Sequence, residues 1–520
     1  MTARIRLNET NRRWWTLAAM CFALFMVMLD NTVVNVALPS IQRDLHATVS
    51  GLEWTVNAYT LAFAVLLVTG GRLGDLFGRR RMFLFGVVTF ALSSGFIGFS
   101  QSEAWLVTGR AVQGLGAAFM MPGTLSIISN AFPPAERGKA IGTWAGVSAM
   151  ALAIGPVVGG FLVENVSWQS IFFLNLPVAA GAVVVTLFAT RESRDETAPP
   201  SVDIPGVAAI SVGLAALVLA LVEANAWGWG SARIAGLFAV AAVALVAFVL
   251  VETRSRYPMV DFSFFRSRSF LGANVVAFIV SFAMLAMFFF LALYMQNIKG
   301  YSPLQAGVRF LPSTAVIMIA GPLAGRLTDR IGPRPLMTLG LLMVSGSLFW
   351  QGHLTVDTPY SMLAGAFVLM GMGMGLVMSP MSTAAMNSVE QTKAGVASGI
   401  LSMSRMVGGS FGVAAMGALV TGLGSHRLGE LLPGLSSSAR SHLAESLGAG
   451  AATNVSGHTA SALQDAFVYA LNDGLRVGAT VAFVGAIVAF VMIGPKPAAA
   501  PAHAETGPLP ATPAPESIAA

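Results

Sequence analysis

The chain has 520 residues, of which 55% are hydrophobic and 10% charged, with a mean hydropathy of +0.73. A soluble domain carries about 25% charge, so a water-soluble enzyme is excluded as the main body, and there is room for many bilayer crossings of roughly 20 residues each. The net charge of +6 combines 26 Arg and 4 Lys with 24 acids, and the placement of the cations argues for membrane orientation rather than for nucleic-acid binding.

Apolar runs broken by charge or turn residues predict six spans at 14–37, 52–71, 82–101, 104–128, 138–163 and 170–190. Two more follow at 204–224 and 233–251, then six at 270–296, 304–325, 335–353, 358–381, 395–421 and 474–494. The expected fold is an all-α polytopic membrane protein with 14 transmembrane helices, two six-helix halves plus two inserted central helices. Its parts are an N-terminal bundle (14–190), the inserted pair with cytoplasmic linkers (191–269) and a C-terminal bundle (270–494). That last bundle includes a long extracytoplasmic loop (422–473), with one or two short interfacial helices, and a Pro- and Ala-rich tail (495–520) reads as disordered. The first apolar stretch is too long for a signal h-region and reads as a retained helix. Cys21 is the only cysteine, so no internal disulfide or sulfur-held metal cluster forms.

Lys and Arg collect in cytoplasmic loops. With both termini inside, 21 of the 30 cations fall on the inner side, 6 on the outer side, and Arg110, Arg309 and Arg405 within spans. A multi-pass protein of the cell (inner or plasma) membrane with cytoplasmic N- and C-termini follows.

GRLGDLFGRR at 71–80 returns as GRLTDRIGPR at 325–334, identical at six of ten positions, each between the second and third spans of its block. A second register, offset by 257, pairs Gly138 with Gly395, Gly142 with Gly399 and Gly155 with Gly412. Parallel six-span halves of this kind place a substrate site between them near mid-bilayer. In the turn, Gly71 and Gly78 allow close helix approach, Asp75 caps a helix or pairs with an arginine, and Arg79 and Arg80 sit at the interface. No strand precedes this turn and no P-loop occurs, so it is no phosphate cradle.

An acid inside a spanning helix is costly and is functional by default. Asp30 lies about 12 Å and Arg110 about 9 Å from the same rim at 1.5 Å per residue, so the two share a depth. They are expected to form a proton-coupling pair; the alternative is a static pairing network that includes Asn31 and Asn35. Gly155, Pro156, Gly159 and Gly160 are expected to let another helix pack at backbone distance. Arg405 has no acid in its own span and is expected to meet backbone carbonyls, an Asp of the other half, or an anionic group of the cargo. Asn31, Asn35, Tyr59, Gln113, Tyr294 and Arg405 are the candidate cavity residues. The excess of Arg110, Arg309 and Arg405 over Asp30 weighs against a pocket for multiply charged cations.

With its GGRLGDLFGRRR turn at 70–81 the chain resembles the major facilitator superfamily. LDNTVVNVALP at 29–39, RAVQGLGAAFMMP at 110–122 and GPVVGGF at 155–161 resemble the motifs of its drug:proton antiporters, and the span count resembles their fourteen-helix branch. The resemblance implies that Gly71, Asp75, Gly78, Arg79, Arg80 and the repeat's Asp329 form a cytoplasmic gate, and that the Gly155–Gly160 motif marks export. The expected function is proton-coupled efflux of lipophilic drugs or toxic compounds by alternating access; the alternative is export of an endogenous lipid, siderophore or secondary metabolite. The expected partners are a small lipophilic substrate, protons and the bilayer, with no nucleic acid, and a periplasmic adaptor is left open. Five of six His lie in outer loops or the tail, so no catalytic or metal constellation and no cofactor is expected, and an enzyme or a sensor is disfavoured.

Overall fold

The computed structural model describes residues 9–194, 203–256, 258, 260, 262–389, 394–434, 436, 440, 443 and 457–494. The first half comprises α1 (Glu9–Leu45), α2 (Val49–Phe77), α3 (Arg79–Gly98), α4 (Glu103–Ala131), α5 (Pro134–Asn165), and α6 (Ser170–Phe173) continued by α7 (Asn175–Ala189). The inserted pair is α8 (Ile204–Trp227) and α9 (Ala232–Arg254). The second half comprises α10 (Arg268–Leu293), extended by a π turn at Tyr294–Ile298, α11 (Pro303–Arg309) continued by α12 (Leu311–Ile331), α13 (Pro333–Gln351), α14 (Tyr360–Met386), α15 (Ala394–Leu431) and α16 (His458–Met492). Among the described residues, eleven helices are long and apolar enough to cross a membrane, or twelve when α2, bent by 48°, is taken as one span. α5 and α13 also pack in the bundle, which is consistent with the fourteen passages expected.

Helix is the only way for a single segment to satisfy its backbone inside hydrocarbon, and polar caps fix where each helix starts. Thr48, Ser102, Asp203, Ser231 and Ser267 each accept a hydrogen bond from a first-turn amide, and Ser302 with Gln305 forms a capping box. Hydropathy underestimates several helices. α1 continues to Leu45, eight residues beyond the apolar run, through Pro39. Both ends of the expected loop 422–473 are helix: α15 runs on to Leu431 and α16 begins at His458. Leu428, Leu463 and Phe467 are buried there, so one packed face carries each helix past the point where the sequence turns polar. Most of the remaining loop, and the tail 495–520, lie outside the described residues.

The two halves repeat one packing plan. α1 lies on α5 and α7 as α10 lies on α15 and α16; α4 lies on α2 and α3 as α14 lies on α12 and α13. Glycines set these contacts. A Cβ on Gly114 would meet the Tyr59 carbonyl of α2, and one on Gly371 the Ser313 carbonyl of α12; Gly116 backs on α3 at Gly86 as Gly373 backs on α13 at Gly340. Gly155 presses on Thr32 of α1, Gly412 on Phe282 of α10. Gly114 with Gly371, Gly116 with Gly373 and Gly155 with Gly412 keep the 257-residue offset. The duplication seen in the sequence is thus a duplication of backbone-to-backbone contacts between helices.

The halves meet at the end of the bundle remote from where α1 starts and α16 finishes, called here the far end. Gln296 donates to the Val36 carbonyl of α1 at 2.8 Å, and Ser410 of α15 donates to Asn57 of α2 at 2.8 Å. Glu164 of α5 accepts from the Ser302 hydroxyl at 2.5 Å and from the Leu304 amide at 3.0 Å at the start of α11.

Candidate functional site

The first half holds a buried polar core built on charge. Asp30 of α1 and Arg110 of α4 are 4% and 2% exposed, and one guanidinium nitrogen lies 2.6 Å from Asp30 Oδ2. Arg110 also donates to Gln113 Oε1 at 2.5 Å and, through Nε, to the Thr55 carbonyl of α2 at 3.0 Å. Its guanidinium sits 4.2 Å from the ring centre of Tyr59, a cation–π contact that is stronger without water. Gln113 donates to Asp30 Oδ1 at 3.1 Å and to Ser94 Oγ at 2.8 Å, and Asn175 of α7 reaches the same Ser94 oxygen at 3.2 Å. Five helices thus converge on one carboxylate. The side chain points into the bundle, and the depths estimated from the sequence placed it beside its partner, although α1 is longer than expected.

Two charges removed from water recover their desolvation only with good geometry and further hydrogen bonds, and here both are present.

The other candidates occupy three places. Tyr59 and Gln113 belong to this network. Asn31 donates to the Val27 carbonyl of its own helix, and Asn35 donates to the Asn31 carbonyl while its side-chain oxygen is buried without a partner. Tyr294 lies elsewhere: fully buried, it donates its hydroxyl to the Thr355 carbonyl at 2.6 Å inside the second half. Arg405, half-buried on α15, makes no hydrogen bond or ion pair among the described residues; its neighbour Met406 packs against the core of the first half. Arg309 stacks on Tyr301 and Tyr360, at 3.9 and 5.2 Å.

The turn at 71–80 has a different set of partners from a bare loop. Gly78 adopts φ +111°, a left-handed region that favours glycine, between α2 and α3. Asp75 pairs with Arg79 at 2.8 Å. The Arg79 amide donates to the Ser193 carbonyl at 2.8 Å, the Arg80 amide to Glu192 Oε1 at 3.0 Å, and the Arg80 guanidinium to the Leu187 carbonyl at 2.9 Å. Gly71 packs on Pro122. Glu192, a residue that sequence reading missed, thus holds this turn from the irregular segment after α7; an acid in a polar linker carries no signal until the chain folds back. The side chain of Asp329 lies outside the described residues.

The motif at 155–160 joins three helices. Gly155 and Gly159, one turn apart, face Thr32 and Val33 of α1; Gly160 faces the backbone of Pro303 and Leu304, and a Cβ on Gly307 of α11 would meet the Pro156 carbonyl. Small residues therefore bring α5 against both its own half and the other one.

A family model of the Major Facilitator Superfamily matches residues 20–413. The Tetracenomycin C resistance and export protein of Streptomyces glaucescens is 38% identical over 422 residues, covering 81% of this chain and 78% of that one. The puromycin resistance protein of Streptomyces alboniger is 38% identical over 416 residues, covering 79% and 82%, and the multidrug resistance protein Stp of Mycobacterium tuberculosis (strain H37Rv) is 38% identical over 406 residues, covering 78% and 75%. Among solved structures, a bacterial homologue of the human lysosomal transporter Spinster, in an inward-facing and unoccupied conformation, superposes with a TM-score of 0.64 at 17% identity, covering 92% of this chain and 97% of that one. Duplicated six-helix halves, the glycine-rich turn between α2 and α3, and relatives matched over most of their length agree: this chain is a multi-pass membrane transporter that belongs to the major facilitator superfamily.

Proposed function

We propose that the chain exports lipophilic drugs or other toxic compounds across the cell membrane in exchange for protons, by alternating access. The observation that carries this reading is the buried Asp30–Arg110 pair inside a five-helix polar network. Asp30 takes up a proton, the ion pair dissolves, and the released Arg110 falls back on Gln113, Thr55 and Tyr59. The differential stability of these two arrangements biases the halves between their two orientations. The 71–80 turn, held by Glu192, acts as the gate on the terminal side, and the 155–160 contact acts as the packing hinge at the far end. Relatives that are drug-resistance and export proteins support the direction and the class of cargo, and the cation asymmetry supports cytoplasmic termini.

Asp30→Asn tests the coupling. In proteoliposomes it is expected to abolish substrate transport driven by a pH gradient while leaving fold and substrate binding intact; transport equal to the parent's removes Asp30 from that role. Arg405 favours a second cargo reading, an anionic amphiphile such as a lipid or a secondary metabolite, because a half-buried guanidinium without a partner suits an anionic group. Internal pH measured as lipophilic cations, neutrals and acids are added in turn separates the two.

A further inference from the structure

Glu53 sits four residues after the start of α2. The structure buries it. Glu53 is 2% exposed, and its Oε2 has no hydrogen-bond partner among the described residues. α15 of the other half lies on top of it: a Cβ on Gly417 would overlap the Glu53 carboxyl, so any side chain there would displace that carboxyl. One turn along α2, Asn57 accepts the hydrogen bond from Ser410. Glu53–Gly417 and Asn57–Ser410 are thus successive rungs of one seam between the halves at the far end.

The charge that bears on Glu53 is that of another acid. Glu223 of the inserted helix α8 faces Glu53 electrostatically, and its Oε1 accepts from Ser50 at 2.9 Å and from Trp54 Nε1 at 3.4 Å. Glu103 of α4 abuts Gly51 and accepts from the Thr48 backbone. Arg110 of α4 is held by Asp30, and Arg427 of α15 by Glu430 and Asp465. On α15 the other titratable groups are Arg405, toward the middle of the helix, and His426, which faces Glu430; at the far end of α1, Asp44 accepts from Trp168 and Arg43 donates to Ser40. α3 brings no charged side chain to this end of the bundle. Among the described residues, Glu53 has no cation partner.

We propose that Glu53 is a second proton-binding site, distinct from Asp30, whose protonated form permits α2 to close on α15 at the far end. With the proton bound, the carboxyl is neutral and fits under Gly417. Once the proton leaves, an uncompensated carboxylate faces Glu223 away from water, and the seam opens to hydrate it. The inserted pair supplies the repelling charge, since α8 packs on both α2 and α15. This proposal rests on the proton-coupled reading of the transporter, and its test separates the two.

The test is a distance across the far end, measured by double electron–electron resonance on full-length protein in nanodiscs. Spin labels are placed at Arg43→Cys and His426→Cys in a Cys21→Ser background. In the parent, the population with the longer separation is expected to grow as pH rises, with the open-to-closed ratio changing by up to about tenfold per pH unit for one linked proton. Glu53→Gln is expected to stay closed across the range. Glu223→Gln, which leaves the buried seam itself intact, is expected to require a higher pH increment or a smaller opening fraction at a given repulsion, that is, to open less than the parent at high pH. Asp30→Asn is expected to keep the pH-dependent separation although it no longer transports. A parent distance that does not respond to pH, or a response in Glu53→Gln equal to the parent's, overturns the proposal. Loss of the response in Asp30→Asn alone overturns it too, and leaves coupling at Asp30 standing.

Discussion

Asp30 and Arg110 were legible in the sequence because a charge in an apolar run is conspicuous and two opposite charges at one depth suggest each other. What the sequence withheld is the rest of the network, since Thr55, Ser94 and Asn175 are ordinary polar residues until five helices bring them together. That network has a thermodynamic signature. Arg110→Gln leaves Asp30 buried without its cation and is expected to cost about 3–5 kcal/mol. Adding Asp30→Asn removes the stranded charge and is expected to recover most of that loss. Thermal unfolding of the parent, both single variants and the double variant in detergent measures the coupling; additive losses would mean that the two side chains do not act as a pair. Glu53 escaped notice for the opposite reason: a carboxyl near a helix start is cheap at a wet rim, and only α15 lying across it makes that position a buried one. The inventory of intramembrane charges read from sequence, dominated by arginines, is corrected accordingly.

At the level of elements, the apolar runs located the helices well and their ends poorly. α1, α15 and α16 all outrun their hydropathy, because a helix ends where its packed face or its cap ends. The 155–160 motif was readable as a close-packing site, but its partners were not: one face meets α1, and the other crosses to α11. A larger side chain there acts on one conformational state more than on the protein as a whole. Gly160→Leu overpacks the contact with Pro303 and Leu304, and overpacking costs about 1–3 kcal/mol, which disfavours far-end closure by roughly 5–150-fold. Glu164 and Ser302 touch across this contact, so cysteines at both positions, in a Cys21→Ser background, are expected to be joined by a short bifunctional thiol reagent and to arrest transport when joined. Adding Gly160→Leu is expected to lower the yield of that product by the same factor. An undiminished yield would show that the glycine does not govern closure.

Across the whole molecule, the repeated packing plan makes each half a packed unit of its own, and the inserted pair breaks their symmetry by laying α8 along the seam between α2 and α15. A duplicated turn at 71–80 and 325–334 announced the halves in the sequence; nothing there announced that the insertion touches both, because α8 carries only one acid near its end. The remaining global property is direction. The cation split of 21 to 6 counted from the sequence predicts, through the preference of Lys and Arg for the inner side, that the end where α1 starts meets the cytoplasm. Arg81 on the terminal-side turn and His426 at the far end are both 76% exposed, so each reports on the water it faces. In intact cells carrying single cysteines at these positions, with Cys21→Ser, a membrane-impermeant maleimide is expected to label His426→Cys and to spare Arg81→Cys until the membrane is opened. The reverse pattern would invert the topology: the 71–80 turn would then gate the outer face, and the far-end seam at Glu53 would exchange its proton with the cytoplasm.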